Sequence, residues 1–250
     1  MGQKQPVELG QLIGKTITGK QLNDIVGPMP LLKFMYDTDT HYGMHYVTGH
    51  NLDVLPFSTV EEECGPGGLY VTTIDRYYDH YDRYGDYARR ARVPENALVH
   101  IEYHKIKCDE IYLEDRVLKD DLLRSLFKEY LEHLMNTGSD DIAKYWIDRM
   151  ITRDLSTIKF IGPEFLTPER LIRVVENDGS MIQHIKDSDR SYEMMICAVK
   201  QNGNAIQFIK DTDRTDEMII CAVKQDGHAI QFIKENQRTY ETMIHAVKQN

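Results

Sequence analysis

The sequence is poor in cysteine and has no long apolar run, and each absence excludes a class of protein. No apolar stretch approaches the roughly 18 residues that mark a membrane-spanning helix. The opening MGQKQPVELGQL also lacks the apolar core of a secretion signal. Cys64, Cys108, Cys197 and Cys221 include no CxxC pair. We therefore expect an intracellular protein with reduced thiols, and neither a disulfide framework nor a zinc site.

Positive charge is also scarce. The 250 residues include 30 lysines and arginines against 40 aspartates and glutamates, a formal net charge of -10. Residues 31–117 hold 9 basic and 16 acidic residues, whereas residues 158–250 hold 12 and 14. Because an acidic chain repels phosphate backbones and anionic lipids, we expect it to bind neither nucleic acid nor a membrane.

What the sequence does contain is an internal repeat. The hexapeptide AVKQNG at residues 198–203 returns as AVKQDG at 222–227, and AVKQN stands at 246–250. The flanking residues recur at the same spacing of 24, so four units start at Ile158, Ile182, Ile206 and Ile230. A fixed period of this length is typical of repeat proteins, in which each unit buries its apolar face against its neighbours.

Each unit has the pattern of two helices. Thr215 is a predicted N-cap, and the apolar run Met218–Val223 predicts a helix that neighbouring helices cover on all sides. Gly227 is a predicted left-handed residue that ends this helix. We therefore predict an all-α helical-hairpin solenoid over residues 158–250, with four 24-residue repeats of which the last is truncated.

Polar residues recur at one end of the predicted long helices. Gln201, Asn202, Gln225 and Asp226 would be aligned by stacking into a polar ridge, which is a candidate interaction surface. The alternative is that these side chains only solvate the helix ends.

The N-terminal half has shorter, β-rich runs punctuated by glycine and proline. We predict an α+β head domain over residues 31–117, preceded by an N-terminal extension (1–30) and followed by connecting helices (118–157). Residues 97–103 and 110–113 are predicted strands. Tyr77, Tyr81 and Tyr84 fall at i, i+4 and i+7, which predicts a helix with a tyrosine face as a second candidate interaction surface.

Two resemblances follow from these motifs. Residues 158–250 resemble the uncharacterised tandem helical repeats, marked by AVKQNG, of large DNA viruses and some bacteria. The segments HYGMHYVTGHNLDVLPF, ECGPGGLYVT, VPENALV and KCDEIYL resemble the N-terminal domain of many giant-virus (mimivirus-type) proteins, most of which continue into ankyrin repeats. This chain instead continues into 24-residue repeats, and it reads GHNLD where that family tends to read GLNID.

These resemblances imply no activity. They imply a viral protein in the cytoplasm of an infected host cell, or in the virion, that binds a host or viral protein partner. Our first hypothesis is therefore a non-enzymatic protein–protein interaction module, with no cofactor and no catalytic or metal-binding residue. A structural, self-assembling component is an alternative, and the sequence does not indicate an oligomeric state.

A third hypothesis is an enzyme. The sequence GGLYVTT at residues 67–73 predicts a Gly-rich turn followed by an aromatic strand. This pattern resembles that of ADP-ribosyltransferases, which use NAD. The resemblance would give His41 or His45, Tyr70, and Glu102 or Glu110 the roles of the family's histidine, aromatic residue and glutamate. No glutamate lies in a recognisable catalytic motif, and the alternative is that the glycines shape a loop while Tyr70 fills a core.

Overall fold

The computed structural model describes residues 9–41, 43–60 and 67–249, with the Gln249 side chain outside this description. The chain divides into two compact units, Met1–Asp140 and Asp141–Asn250, which we call the sheet unit and the helical unit. An antiparallel sheet region is thus followed by a helical region, which confirms the coarse part of the predicted fold class. Cys64 and Gly65 lie outside the described residues.

The strands lie in the sheet unit. In chain order, β1 to β11 are Thr16–Thr18, Leu31–Met35, Thr40–His41, Met44–His45, Gly49–Leu52, Leu69–Thr73, Tyr87–Arg92, Leu98–Ile101, Ile106–Cys108, Glu110–Leu113 and Val117–Leu118. Among the described residues, nine strands form one antiparallel sheet in the order β1-β8-β9-β6-β2-β7-β10-β5, with β11 also paired to β7. Strands β3 and β4 pair separately.

Helices are present in both units. The sheet unit contains α1 (Gly19–Val26), α2 (Tyr78–Tyr81) and α3 (Lys119–Asn136). The helices after α3 are α4 (Asp140–Arg153), α5 (Pro168–Asn177), α6 (Tyr192–Gln201), α7 (Asp216–Gln225) and α8 (Tyr240–Gln249). Short 3₁₀ helices lie at Leu9–Leu12, Ile74–Arg76, Leu155–Lys159, Pro163–Phe165, Gly179–His184, Asp187–Asp189, Gly203–Phe208, Asp211–Asp213, Gly227–Phe232 and Glu235–Gln237.

Residues assigned by sequence to an N-terminal extension belong to the sheet unit. Strand β1 pairs with β8. Thr18 and Gln21 form a capping box at the start of α1, in which the Gln21 amide donates to the Thr18 hydroxyl at 3.2 Å. Leu22 is fully buried in the hydrophobic core of the sheet. These residues therefore contribute to the core instead of preceding it.

The predicted tyrosine-faced helix is wrong. The segment forms a 3₁₀ turn followed by α2, which ends at Tyr81, and Tyr84 lies beyond it. Tyr77 is only 1% exposed, and its ring packs edge-on against Phe127 of α3 with the centroids 5.7 Å apart. The three tyrosines do not share one helix face, because α2 covers only Tyr81 of the three and Tyr77 packs in the core.

Consecutive helices of the helical unit pack against each other. Helix α5 packs against α6, α6 against α7, and α7 against α8. The six-residue 3₁₀ helices also pack in sequence, Gly179–His184 against Gly203–Phe208 and Gly203–Phe208 against Gly227–Phe232. Thr215 caps α7 as predicted, because its hydroxyl accepts from the Met218 amide at 3.3 Å. Ala222 and Val223 are fully buried, and so are the equivalent residues of α6.

The glycine after each long helix has a role different from the predicted one. Helix α7 ends at Gln225, its C-cap residue Asp226 has an extended backbone (φ −144°, ψ 113°), and Gly227 begins the following 3₁₀ helix. At the equivalent Gly203, a Cβ atom would lie 2.4 Å from the carbonyl oxygen of Ala222 in the next repeat. The glycine is therefore needed for close approach between repeats, not for a left-handed turn.

Candidate functional site

The two glutamines of the predicted polar ridge link consecutive repeats. The Gly203 amide donates to Gln225 Oε1 at 2.6 Å, and Gln225 Nε2 donates to the Gln201 carbonyl at 3.3 Å. Gln201 bonds in the same way to the Gly179 amide at 2.7 Å and the Asn177 carbonyl at 3.2 Å. Each side-chain amide thus satisfies a donor and an acceptor of the preceding repeat.

The other two ridge residues cap the short helices. Asn202 Oδ1 accepts from the Asn204 amide at 3.0 Å, and Asp226 Oδ1 accepts from the His228 amide at 2.9 Å. The Asn204 side chain donates to Asp226 Oδ2 at 2.6 Å, which again links two repeats. The hydrogen bond from the His228 amide lowers the pKa of Asp226, and this effect outweighs burial, which raises it. The four ridge residues are therefore engaged within the chain.

Sequence reasoning missed an arginine and lysine network that also joins the repeats. Arg214 donates to the Ile209 carbonyl at 2.9 Å and to the Phe232 carbonyl of the next repeat at 2.7 Å. Asp211 pairs with Arg214 at 2.7 Å and with Lys234 of the next repeat at 2.5 Å. The same contacts recur one repeat earlier, around Arg190, Asp187 and Lys210. The recurring KDSDR and KDTDR segments are the signal that could have predicted them.

Helix α8 has an exposed apolar face. Met243 and Val247 are 46% and 76% exposed, although the equivalent Ile219 and Val223 of α7 are 2% and 0% exposed. Tyr240, one turn before Met243, is 78% exposed. We call Tyr240, Met243 and Val247 the α8 face. Among the described residues, this face has the composition of an interior packing surface but is more exposed than the equivalent face of α7.

The three predicted contact tyrosines lie in different environments. Tyr77 is buried and so cannot contribute to a contact surface of the folded protein. The Tyr81 hydroxyl donates to Asp120 Oδ1 at 2.5 Å, and the pKa of Tyr81 is raised by burial and by this carboxylate. Tyr84 lines a small cleft of the sheet unit.

This cleft contains several basic and aromatic side chains. We call it the lysine cleft, and its characteristic lining residues are Lys33, His41, Tyr70, His80, Tyr84 and Lys105. Strands β2 and β6 pair side by side and supply Lys33 and Tyr70. The cleft is partly open, and its free volume of about 20 Å³ is room for the centres of one or two water molecules.

The electrostatics of the cleft are unusual for an acidic protein. Burial, followed by the charges of Lys33 and Lys105, lowers the pKa of His41 to about 4. Burial also lowers the pKa of His80, whose Nε2 lies 2.9 Å from the His104 carbonyl. Both imidazoles are therefore favoured in the neutral form near pH 7.

The structure brings together part of the set suggested by ADP-ribosyltransferases. His41 and Tyr70 line the same cleft. Glu102 does not line it, but its carboxylate lies 3.5 Å from Nζ of the lining residue Lys105. Glu102 is buried, and burial raises its pKa. The other two candidates do not line the cleft: His45 is exposed on β4, and Glu110 lies 2.7 Å from His50. The free space is too small to enclose a dinucleotide.

Two absences among the described residues bear on other site classes. No group of three or more histidine, cysteine, aspartate or glutamate side chains in residues 9–41, 43–60 and 67–249 is arranged to hold a metal ion. Over the same residues, none of the helices is both long enough and apolar enough to cross a membrane.

Comparison with known proteins gives one result, and it concerns the repeats. A family model described as "Domain of unknown function (DUF4116)" matches residues 168–214 and 192–238. The two matches start 24 residues apart (192 − 168), which is the period of the repeat. No curated protein and no solved structure matches the chain. From residue 168 to residue 238 the chain is thus similar to a family to which this description assigns no function.

Proposed function

We propose that this protein is a protein–protein interaction module whose repeats form a helical-hairpin solenoid and whose α8 face binds a helical segment of a partner. The observation that carries the proposal is the exposure of Met243 and Val247 at positions that are buried in α7. Contiguous exposed apolar side chains on a helix are typical of protein interaction sites.

The solenoid is supported by contacts that repeat in register. Gln201 and Gln225 make the same pair of hydrogen bonds to the preceding repeat. Arg190 and Arg214 both donate to a phenylalanine carbonyl of the following repeat. Identical contacts between successive units generate a regular stack, which is the architecture of solenoid proteins.

The contacts between preceding repeats indicate which kind of segment would fit the α8 face. Arg238 occupies the position from which Arg214 reaches the carbonyl of the next repeat. Glu235 occupies the position from which Asp211 pairs with a lysine of the next repeat. The expected partner segment therefore has an apolar helix face for Met243 and Val247, an accessible backbone carbonyl and a basic side chain.

The origin of the partner is inferred from sequence resemblance alone. Because the N-terminal motifs resemble those of giant-virus proteins, we propose that the protein acts in the cytoplasm of an infected cell, or in the virion, on a host or viral protein. Self-assembly through the α8 face is the structural alternative, and it requires the same exposed residues.

Site-specific photo-crosslinking tests the proposal. A photoreactive amino acid at Val247 should form a crosslink to a specific partner protein, because this side chain is 76% exposed within the α8 face. The same amino acid at Val60, a valine of the sheet unit that is 58% exposed, is the matched control. Crosslinks to a second copy of the chain would instead favour self-assembly. Equal labelling of the same proteins from both positions would contradict the proposal.

A further inference from the structure

The segment in front of α5 is built like a repeat. Asp154 caps the 3₁₀ helix Leu155–Lys159, because its side chain accepts from the amide two residues on at 2.9 Å. Asp178, which lies 24 residues later, makes the same hydrogen bond at 2.9 Å. The 3₁₀ helix Leu155–Lys159 also packs against the next one, Gly179–His184. Helix α4 and Leu155–Lys159 therefore form a layer of the helical unit, which we call the first layer.

The first layer differs from the later ones at the position that is glycine in the repeats. Leu155 occupies the position of Gly179 and Gly203. At these two glycines, a Cβ atom would lie 2.2 Å and 2.4 Å from a carbonyl oxygen of the next long helix. Because Leu155 carries a side chain, α5 cannot approach the first layer as closely as later helices approach theirs. The packing between α4 and α5 is accordingly sparser than that between α5 and α6.

The glutamine that links later repeats is also replaced at this junction. Asn177 occupies the position of Gln201, and its side-chain amide donates to the Arg173 carbonyl of its own helix at 2.8 Å. The Leu155 amide is the counterpart of the Gly179 amide, which donates to Gln201. Within the described part of the chain, the Leu155 amide has no hydrogen-bond acceptor. The first layer therefore presents to α5 a backbone donor that the later layers satisfy.

A cleft lies at this junction. We call it the interlayer cleft, and it is lined by Ile151, Thr152, Leu155, Arg173, Val174 and Asn177. Its volume is about 160 Å³, the volume of about five water molecules at roughly 30 Å³ each. An engineered cavity of about 150 Å³ in another protein binds benzene. The interlayer cleft is therefore large enough for a small organic molecule.

Arg173 gives the interlayer cleft a positive charge. Among the residues that the structure describes, its guanidinium has no ion pair and no hydrogen-bond acceptor. Arg170, one turn earlier in α5, is by contrast paired with Asp148 at 2.8 Å. The residue equivalent to Arg173 in α6 is Cys197, so the arginine is particular to this junction. The cleft thus combines a free guanidinium with apolar side chains and an unsatisfied backbone donor.

We propose that the interlayer cleft binds a small organic acid through its carboxylate group. The planar guanidinium of Arg173 matches a carboxylate with two parallel hydrogen bonds. The Leu155 amide would donate to the same group, as the Gly179 amide donates to a glutamine carbonyl oxygen. Ile151 and Val174 line the cleft beside a hydrocarbon part, which the volume limits to roughly three to six carbon atoms. This site is independent of the proposed role of the α8 face.

Nuclear magnetic resonance of the full chain labelled with ¹⁵N-leucine tests the proposal. The Leu155 amide signal is followed while sodium butyrate or sodium benzoate is added at constant ionic strength. A saturable shift of this signal is expected with at least one of the two acids. The neutral analogues butyramide and benzamide should bind about tenfold more weakly, because they lack the charge that pairs with Arg173. Inorganic phosphate, which has no hydrocarbon part, should also bind more weakly than the acids.

Three variants complete the test. Arg173→Gln should weaken binding of the acid about tenfold, because it removes the charged donor. Arg124→Gln, at an arginine of α3 whose side chain is 53% exposed, makes the same change of charge and should bind like the parent. Asn177→Gln restores the residue of the later repeats, so its longer side chain should enter the cleft and weaken binding without lowering the melting temperature.

The Asn177→Gln variant keeps the test informative if Arg173→Gln does not fold. An absence of saturable shifts with both acids would overturn the proposal, and so would equal binding of the neutral analogues or tighter binding of phosphate. Undiminished binding of the acid in Arg173→Gln or in Asn177→Gln would also overturn it.

Discussion

Gly203 illustrates, at the scale of one residue, how closely consecutive repeats approach. Its Cα lies so near the end of α7 that a Cβ atom would be 2.4 Å from the Ala222 carbonyl oxygen and 2.8 Å from Gln225 Oε1. The first of these atoms belongs to the backbone and cannot move without displacing a helix. The recurrence of glycine could be predicted from the sequence, but its reason could not, because the clash involves a residue 19 positions away.

Gly203→Ala should therefore destabilise the helical unit. We expect a loss of about 1–3 kcal/mol in the free energy of unfolding, the usual cost of forcing extra volume into a packed interface. Gly10→Ala is the matched control, since a Cβ atom there would have no neighbour within 4 Å. Denaturant unfolding followed by circular dichroism at 222 nm measures both variants. Equal stability of Gly203→Ala and the parent would show that the repeats are not packed this closely.

His41 leads to a prediction about pH. Its pKa is about 4 in the folded protein and 6.5 in an unfolded chain, so between these values the unfolded chain binds more protons. The contribution of neutral His41 to the free energy of unfolding is fully present above pH 6.5 and is lost as the pH falls towards 4. Between pH 7 and pH 5, the free energy of unfolding should therefore fall less in His41→Gln than in the parent. Equal slopes in the parent and in His41→Gln would contradict the assignment.

At the scale of helices and strands, local patterns predicted element type better than element role. The strand over Glu110–Leu113 and the Thr215 cap of α7 were predicted correctly because short-range signals determine them. The ridge formed by Gln201 and Gln225 was predicted as a surface, yet its amides bond to backbone groups of the preceding repeat. A sequence pattern that marks a recurring polar side chain does not distinguish binding a partner from binding the next repeat.

Gln225→Met tests this structural role. The substitution keeps the length of the side chain but leaves the buried Gly203 amide without its acceptor, which should cost about 1–3 kcal/mol of stability. Gln207→Met is the control, because the Gln207 side-chain amide donates to the Asn204 carbonyl of the same 3₁₀ helix and the side chain is exposed. Thermal melting should separate the two variants. If both melted like the parent, the glutamine bridge would be dispensable and the ridge would again be a candidate contact surface.

For the whole molecule, the order of a β-rich unit followed by repeats could be predicted because periodicity changes along the chain. The lysine cleft could not, since Lys33, Tyr70 and Lys105 are brought together by strand pairing between distant segments. The α8 face could not be predicted either, because Met243 and Val247 have the same character as their buried equivalents. Burial in a repeat depends on its neighbour, which no single repeat specifies.

The central claim is that the α8 face binds a partner protein. Quantitative affinity capture from the cells in which the protein acts tests it most directly, using the parent, Met243→Ser with Val247→Ser, and Val60→Ser as a control. Removing two exposed apolar side chains should leave the melting temperature nearly unchanged and reduce the captured partner about tenfold or more. Val60→Ser should capture the partner as the parent does. Undiminished capture by the folded double variant would contradict the account.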